Sequence, residues 1–285
     1  MAIDYSITRW TGAVAATQWT REAGVLAAVG EALPARLLDS RPLAEVHRLD
    51  LALFVVFEDA SLRVSGALTR RAPTLDALNF AAQQTLDEAH HHEMFRRRLD
   101  LTSAALGLSA DDAVEAILIP PLRRFLERAY EVADAGSFVE AMVLINLVLE
   151  GMAYPLYAYE ERYWQPVDPY LARLIRGAFT DETRHVAFGA GLVQALLADD
   201  PARRAKVAVL CHEARLALRE VFDFYVRKFV SLFDAVARRH GDLFAGAEFA
   251  PGRRIADTPY EAQIAAIHAS IDREHGRLLA RAGLA

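Results

Sequence analysis

The chain has 285 residues, 53% of them hydrophobic, with a formal net charge of −6. That is enough apolar material for a substantial core, and the acidic balance argues against nucleic acid as a partner, because phosphate binding needs a basic surface. The single cysteine, Cys211, excludes an internal disulfide and reads as a small buried residue, as expected in a reducing cytoplasm.

In chain order, apolar residues recur at helical spacing and no convincing alternating strand is found. The start, MAIDYSITRWTGAVAATQWTRE, lacks the basic opening and apolar run of a signal peptide, so a cytoplasmic protein is expected. A first flanking helix is predicted over about 8–32. A second helix follows Pro42 and runs through LAEVHRLDLALFVVFEDASLRVSGAL. A third follows Pro73, with Thr74 as cap, and continues to about Gly107. Residues 109–134 read as one or two shorter helices interrupted at Pro120–Pro121. Ser137 caps a long helix to about Trp164, Asp168-Pro169 opens the next to about Ala198, and Asp200-Pro201 opens another to about His240. Residues 241–258 are expected to be a loop, and 259–281 a closing helix. The reading is an all-α single domain over 1–285. A helical-bundle core is expected at about 42–198, with flanking helices at 8–32 and 200–281. The apolar run AMVLINLVLEGMAYPLYAY carries Asn146, Glu150 and Pro155, so a buried core helix is expected there rather than a membrane span.

The informative feature is a repeat. DEAHH at 87–91 returns as DETRH at 181–185, both Asp-Glu-x-x-His. Residues three apart on a helix share a face, so Glu88 with His91 and Glu182 with His185 can each grip one metal ion. Bundles that hold two metals add one Glu from each of two further helices. Glu58 lies 30 residues before Glu88, and Glu150 lies 32 before Glu182. Each sits within an apolar stripe: Leu51, Phe54, Val55 and Leu62 flank Glu58, and Val143, Leu147, Ala153 and Tyr154 flank Glu150. Four buried carboxylates repel one another and take up protons unless cations cancel their charge. Two divalent ions do so, and His91 and His185 are neutral ligands suited to iron. Asp87 is expected to orient His185, and Asp181 to orient His91. Arg184 pairs with one of these aspartates or lies outside. His90 points to another face, and His92, four residues from Glu88, is the weaker alternative ligand. His47 and His212 read as structural. Asp272-x-x-His275 has similar spacing but sits in a polar helix and is expected to be solvated.

These residues resemble the ferritin-like diiron-carboxylate superfamily over about 45–195. DETRHVAFG and LVLEGMAYPLY resemble metal-binding helices of the R2-like ligand-binding oxidases, and DETRHVAFG also those of bacterial multicomponent monooxygenases. The ribonucleotide reductase radical subunit carries a tyrosine where this chain has Phe95. The R2-like oxidases form a Val–Tyr crosslink where this chain has Ser61 and Ile145. The para-aminobenzoate N-oxygenase group adds a histidine where this chain has Ala178.

The resemblance implies a non-haem diiron oxygenase or oxidase. It implies two iron ions, or a manganese and an iron, and O2 as co-substrate of a small organic molecule. The reaction is left open among hydroxylation, N-oxygenation, desaturation and oxidative cleavage. Glu58, Glu88, Glu150 and Glu182 are the candidate catalytic carboxylates. Gly151 and Pro155 predict a kink or π-bulge beside the metals. Gly189 and Gly191 leave room on the facing helix. Tyr154, Tyr157, Ala178 and Gly151 are candidate pocket residues. No flavin, ferredoxin or nicotinamide motif is found, so an external electron donor is expected. The stripe VFDFYVRKFVSLFDAV fits either the core or a homodimer interface. A Mn/Fe radical-generating oxidase and a non-catalytic iron-binding or storage protein are the alternatives.

Overall fold

The computed structural model describes residues 32–285, so the predicted helix at 8–32 lies almost wholly outside the described residues. A short turn of helix, α1 (Ala35–Leu38), precedes α2 (Arg41–Thr69) and α3 (Leu75–Leu106). Two short helices follow, α4 (Ala110–Ile117) and α5 (Pro120–Ala135). The long helix α6 (Phe138–Trp164) leads to α7 (Pro169–Leu196), α8 (Pro201–Arg239) and α9 (Tyr260–Ala282).

The helix starts obey capping chemistry, since a side-chain oxygen that accepts from the first free N–H groups satisfies donors the helix leaves orphaned. Thr74 accepts from Ala77 N, Asp168 from Tyr170 N and Leu171 N, and Asp200 from Arg203 N. Ser137 and Glu140 form a reciprocal capping box at the head of α6. Ser40 caps α2, so that helix begins two residues before the predicted start after Pro42. Gly107 ends α3 at φ 68°, a left-handed conformation that glycine adopts without steric cost.

Helices α2 and α3 pair along their length, as do α6 and α7, and the two pairs close into a four-helix bundle. Their inward stripes bury residues such as Leu51, Phe54, Phe80, Phe95, Leu147 and Ile175. Each fully buried large apolar side chain contributes about 1.5–3 kcal/mol of burial free energy. Helix α8 packs on α5 and on the first half of α6, and α9 packs on α6 and α7. Val221, Phe222, Tyr225, Val226, Phe229, Val230 and Phe233 of α8 are buried, so the stripe left open between core and dimer interface is core. The long apolar α6 is mostly buried inside the bundle.

Two details depart from expectation. Residues 241–258 are not all loop: Glu248–Ala250 and Arg253–Arg254 form a small antiparallel hairpin with a bulge, closed by Gly252 at φ 71°. The π-helical stretch lies at Val143–Leu149, upstream of Glu150 rather than at Gly151 and Pro155. Pro155 is carried within regular α-helix, while the widened turn falls where Asn146 turns inward.

The base of the bundle is tied by a buried polar cluster. Arg98 donates to Asp168 Oδ2 from Nε (3.0 Å) and Nη2 (2.6 Å), and His47 Nε2 lies 3.0 Å from the same oxygen. Burial opposes the Asp168 charge, but the His47 and Arg98 contacts prevail and hold its carboxyl at about 2. His47 is thus a structural histidine, and His212 is exposed on α8.

Candidate dimetal centre

The four inner helices each deliver their acidic residue to one place. Glu58 on α2, Glu88 and His91 on α3, Glu150 on α6, and Glu182 and His185 on α7 are all buried. Within the triple histidine only His91 turns inward: His90 is exposed and His92 half-buried. A helix places successive residues about 100° apart, so three adjacent imidazoles cannot share one face.

The six side chains form two overlapping groups, Glu58–Glu88–His91–Glu182 and Glu88–Glu150–Glu182–His185, with ligand atoms in each group within 4.8 Å of one another. Glu88 and Glu182 belong to both. Their oxygens divide accordingly: Glu88 Oε1 lies 3.1 Å from His185 Nδ1, and Oε2 lies 3.4 Å from His91 Nδ1. Glu182 Oε1 lies 3.6 Å from His91 Nδ1, and Oε2 lies 3.7 Å from His185 Nδ1. Glu58 Oε2 closes the first group, 3.3 Å from His91 Nδ1.

This geometry tests whether a metal pair fits. Glu88 Oε2, His91 Nδ1 and Glu182 Oε2 are buried and make no hydrogen bond. Leaving a buried polar atom unpaired costs about 1–3 kcal/mol. Glu88 Oε2 and His91 Nδ1 face one ligand group and Glu182 Oε2 faces the other, so two adjacent divalent cations are what would satisfy them. Four carboxylates and two imidazoles are a donor set suited to iron or manganese.

The electrostatics agree. Desolvation pushes Glu58 up to about 8 against the opposing pull of His91. Glu150 is raised well above the carboxylate range by burial and by the charges of Glu182 and Glu88. Burial opposes protonation of His91, but Glu58 and Glu88 prevail and raise it to about 10. Glu88 goes the other way: burial opposes its charge, but His185 and His91 prevail and hold its carboxyl well below the usual carboxylate range.

A second ring of side chains fixes these groups. His91 Nε2 lies 3.1 Å from Asp181 Oδ2, and His185 Nε2 lies 3.3 Å from Asp87 Oδ2, each contact crossing between α3 and α7. Arg184 pairs with Asp181 and stands 3.7 Å from Asp87, so it touches both aspartates rather than one.

Sequence reasoning missed the contacts of three residues. Tyr157, expected as a pocket wall, donates its O–H to Glu58 Oε1 at 2.9 Å. Gln84, one turn before Glu88, donates to Glu150 Oε1 at 2.7 Å. Asn146, one turn before Glu150, donates to Glu150 Oε2 at 3.0 Å and to Gln84 Oε1 at 3.1 Å. The only sequence signal was a polar residue at i−4 from a ligand on an otherwise apolar stripe. Gly189 makes the room: a Cβ there would fall 2.7 Å from Asn146 Cβ.

Among the other pocket candidates, Tyr154 lines a cavity of about 310 Å3 between α6, the hairpin and α9. Ala178 is fully buried one turn before Glu182. Gly151 faces no cavity but the closing helix, since a Cβ there would meet Leu278 Cδ2 at 2.5 Å. His275 corrects another expectation. It is buried, not solvated, and its Nε2 lies 2.8 Å from the carbonyl of Leu147 in the π-helical stretch. That carbonyl lies in the widened turn, which gives the imidazole an interior partner. Asp272 of the same motif stays on the surface, facing Arg219.

The sequence matches no protein-family model and no curated protein. Solved structures do match. The R2-like ligand-binding oxidase with aerobically reconstituted metal cofactor after photoconversion aligns at a TM-score of 0.59 and 18% identity, over 84% of this chain and 81% of that one. A point variant of that oxidase with aerobically reconstituted Mn/Fe cofactor aligns at 0.59 and 17%, over 85% and 82%. Another variant, with Fe/Fe cofactor, gives 0.59 and 17%, over 85% and 81%. The fold is therefore the all-α, ferritin-like helical bundle. The solved proteins that share it here are oxidases whose cofactor is a pair of metals.

Proposed function

We infer that this chain is a non-haem dinuclear metal oxidoreductase, an O2-dependent oxygenase or oxidase of a small organic molecule. The observation that carries this reading is the sharing of Glu88 and Glu182 between two adjacent ligand groups. Glu58 and His91 complete one metal site, and Glu150 and His185 the other. Two iron ions bound there would supply reductive activation of O2. The chain's own groups do the rest. Asp181 and Asp87 hold the imidazoles in the tautomer that presents Nδ1 to the metals. Tyr157 fixes Glu58, while Gln84 and Asn146 fix Glu150. The apolar walls, including Phe54, Phe80 and Phe95, exclude water from the centre.

A manganese–iron pair is the second reading, favoured because solved relatives by fold carry Mn/Fe. Phe95 stacks on Phe54 at 4.4 Å where the reductase subunit has its tyrosine, which speaks against that radical role. Electrons for a multi-turnover reaction come from an external donor, and the setting is cytoplasmic, with neither membrane nor nucleic acid as partner.

Anaerobic loading with Fe2+ followed by O2 addition tests the reading. Two ions per chain and O2 uptake faster than by free Fe2+ are expected. Absence of stoichiometric metal contradicts it, and uptake of many ions per chain supports storage instead.

A further inference from the structure

We propose that the cavity between α6, the hairpin and α9 is a binding site for a single-ring aryl carboxylate. This deepens the oxidase reading by naming a substrate class, and rests on that reading only for the chemistry that follows binding.

The cavity of about 310 Å3 is at the lower end of the range small-molecule pockets occupy, about 300–1,000 Å3. That volume accommodates one ring and a short chain. Its walls are aromatic: Tyr154, Tyr159, Phe179 and Phe249. Such faces favour an aromatic guest through offset or edge contacts.

The polar groups set the sign of the guest's charge. Arg162, Arg273 and Glu274 reach the cavity. Glu274 is already taken: Arg273 Nε donates to it at 2.9 Å and Arg277 Nη1 at 3.0 Å. Arg162 makes only a 3.4 Å contact to the carbonyl of Phe249, and no carboxylate among the described residues stands within ion-pair distance of it. Arg253 lies over the Phe249 ring at 4.9 Å and adds positive charge at the rim. On a protein of net charge −6, this is a locally cationic pocket. A planar guanidinium matches a carboxylate by paired hydrogen bonds.

The inner wall connects the cavity to the metal ligands. Tyr154 is one turn beyond Glu150, and Phe179 is three residues before Glu182. Their rings lie 4.7 Å apart, and Phe179 is 6.3 Å from the ring of Tyr157, whose hydroxyl donates to Glu58. A ring stacked against Phe179 is thus separated from Glu58 by the rings of Phe179 and Tyr157, with its carboxylate directed outward at Arg162.

Isothermal titration of the full chain, metal-loaded and metal-free, with benzoate, phenylacetate and 3-phenylpropionate against their primary amides tests the proposal. At least one acid is expected to bind, its amide at least tenfold more weakly. Arg162→Gln is expected to erase the difference while leaving amide binding intact, and Arg162→Lys to restore part of it. Equal binding of acid and amide, discrimination that survives Arg162→Gln, or no binding by a folded wild type overturns the proposal. Acid binding by a protein that takes up no metal would sink the oxidase reading alone. Metal loading and O2 uptake without acid binding would sink the pocket alone.

Discussion

His91 on α3 and Asp181 on α7 meet across the bundle at 3.1 Å, and His185 and Asp87 repeat the contact in the opposite sense at 3.3 Å. Each Asp-Glu-x-x-His motif therefore supplies the aspartate that holds the other motif's histidine. Asp181→Asn keeps the volume but removes the carboxylate that fixes the His91 tautomer. Metal affinity should fall about 10- to 100-fold, with the helical content unchanged. Competition with a chelator of known affinity measures this, and unaltered affinity would remove the orienting role.

Tyr157→Phe deletes the hydroxyl that donates to Glu58. The metal-free protein should lose about 1–3 kcal/mol, because a buried acceptor is left without its donor. Urea unfolding of wild type and variant gives the difference, and an effect below the error of the fit would show that Glu58 does not depend on Tyr157.

Gly189 and Gly151 should respond differently to the same change. Gly189→Ala drives a methyl against the Asn146 Cβ, a position fixed by backbone, so about 1–3 kcal/mol of destabilisation is expected together with loosening of Glu150. Gly151→Ala meets the end of the Leu278 side chain, which can turn away, and His275 Cδ2 and the Asn146 carbonyl only at ordinary contact distances of 3.4 and 3.5 Å. It should be near neutral, since alanine also favours the helix by about 0.5–1 kcal/mol. Thermal melts of the two variants side by side decide this, and equal losses would show that the Asn146 position gives way as easily as Leu278.

Much of the candidate centre was legible in the sequence because residues three apart on a helix share a face. Glu88 with His91, and Glu182 with His185, are three apart whatever surrounds them, and the repeat of the preceding Asp implied the crossing contacts. Tyr157 on Glu58, and Gln84 with Asn146 on Glu150, depend on the register between different helices, which no local spacing encodes. The same reason hid His275, whose partner is a backbone carbonyl in a π-helical stretch. The hairpin at 248–254 is too short to show alternation. Helix starts were legible because Thr74, Ser137, Asp168 and Asp200 are capping residues, and Ser40 was passed over for the proline that follows it.

Asp50 yields a pH prediction. It is fully buried, and desolvation pushes its carboxyl up to about 7 against the hydrogen bond from the Trp164 indole N–H. Its ordinary value is 3.8. Between about pH 4 and pH 7 the folded chain holds a proton that the unfolded chain has released, so this residue's contribution to stability falls as pH rises. Asp50→Asn stays neutral throughout. The stability difference, variant minus wild type, should grow across that window and level off above it. Chemical unfolding at several pH values measures it, and a flat difference would mean that Asp50 is charged in the folded state.

The shared carboxylates are the core of the account, and anaerobic Fe2+ titration with metal analysis probes them directly. Wild type should bind two ions per chain, Glu58→Ala should retain one, and Glu88→Ala should lose both from stoichiometric binding. Two ions still bound by Glu88→Ala, or fewer than two by wild type, would contradict a centre in which Glu88 and Glu182 serve both metals.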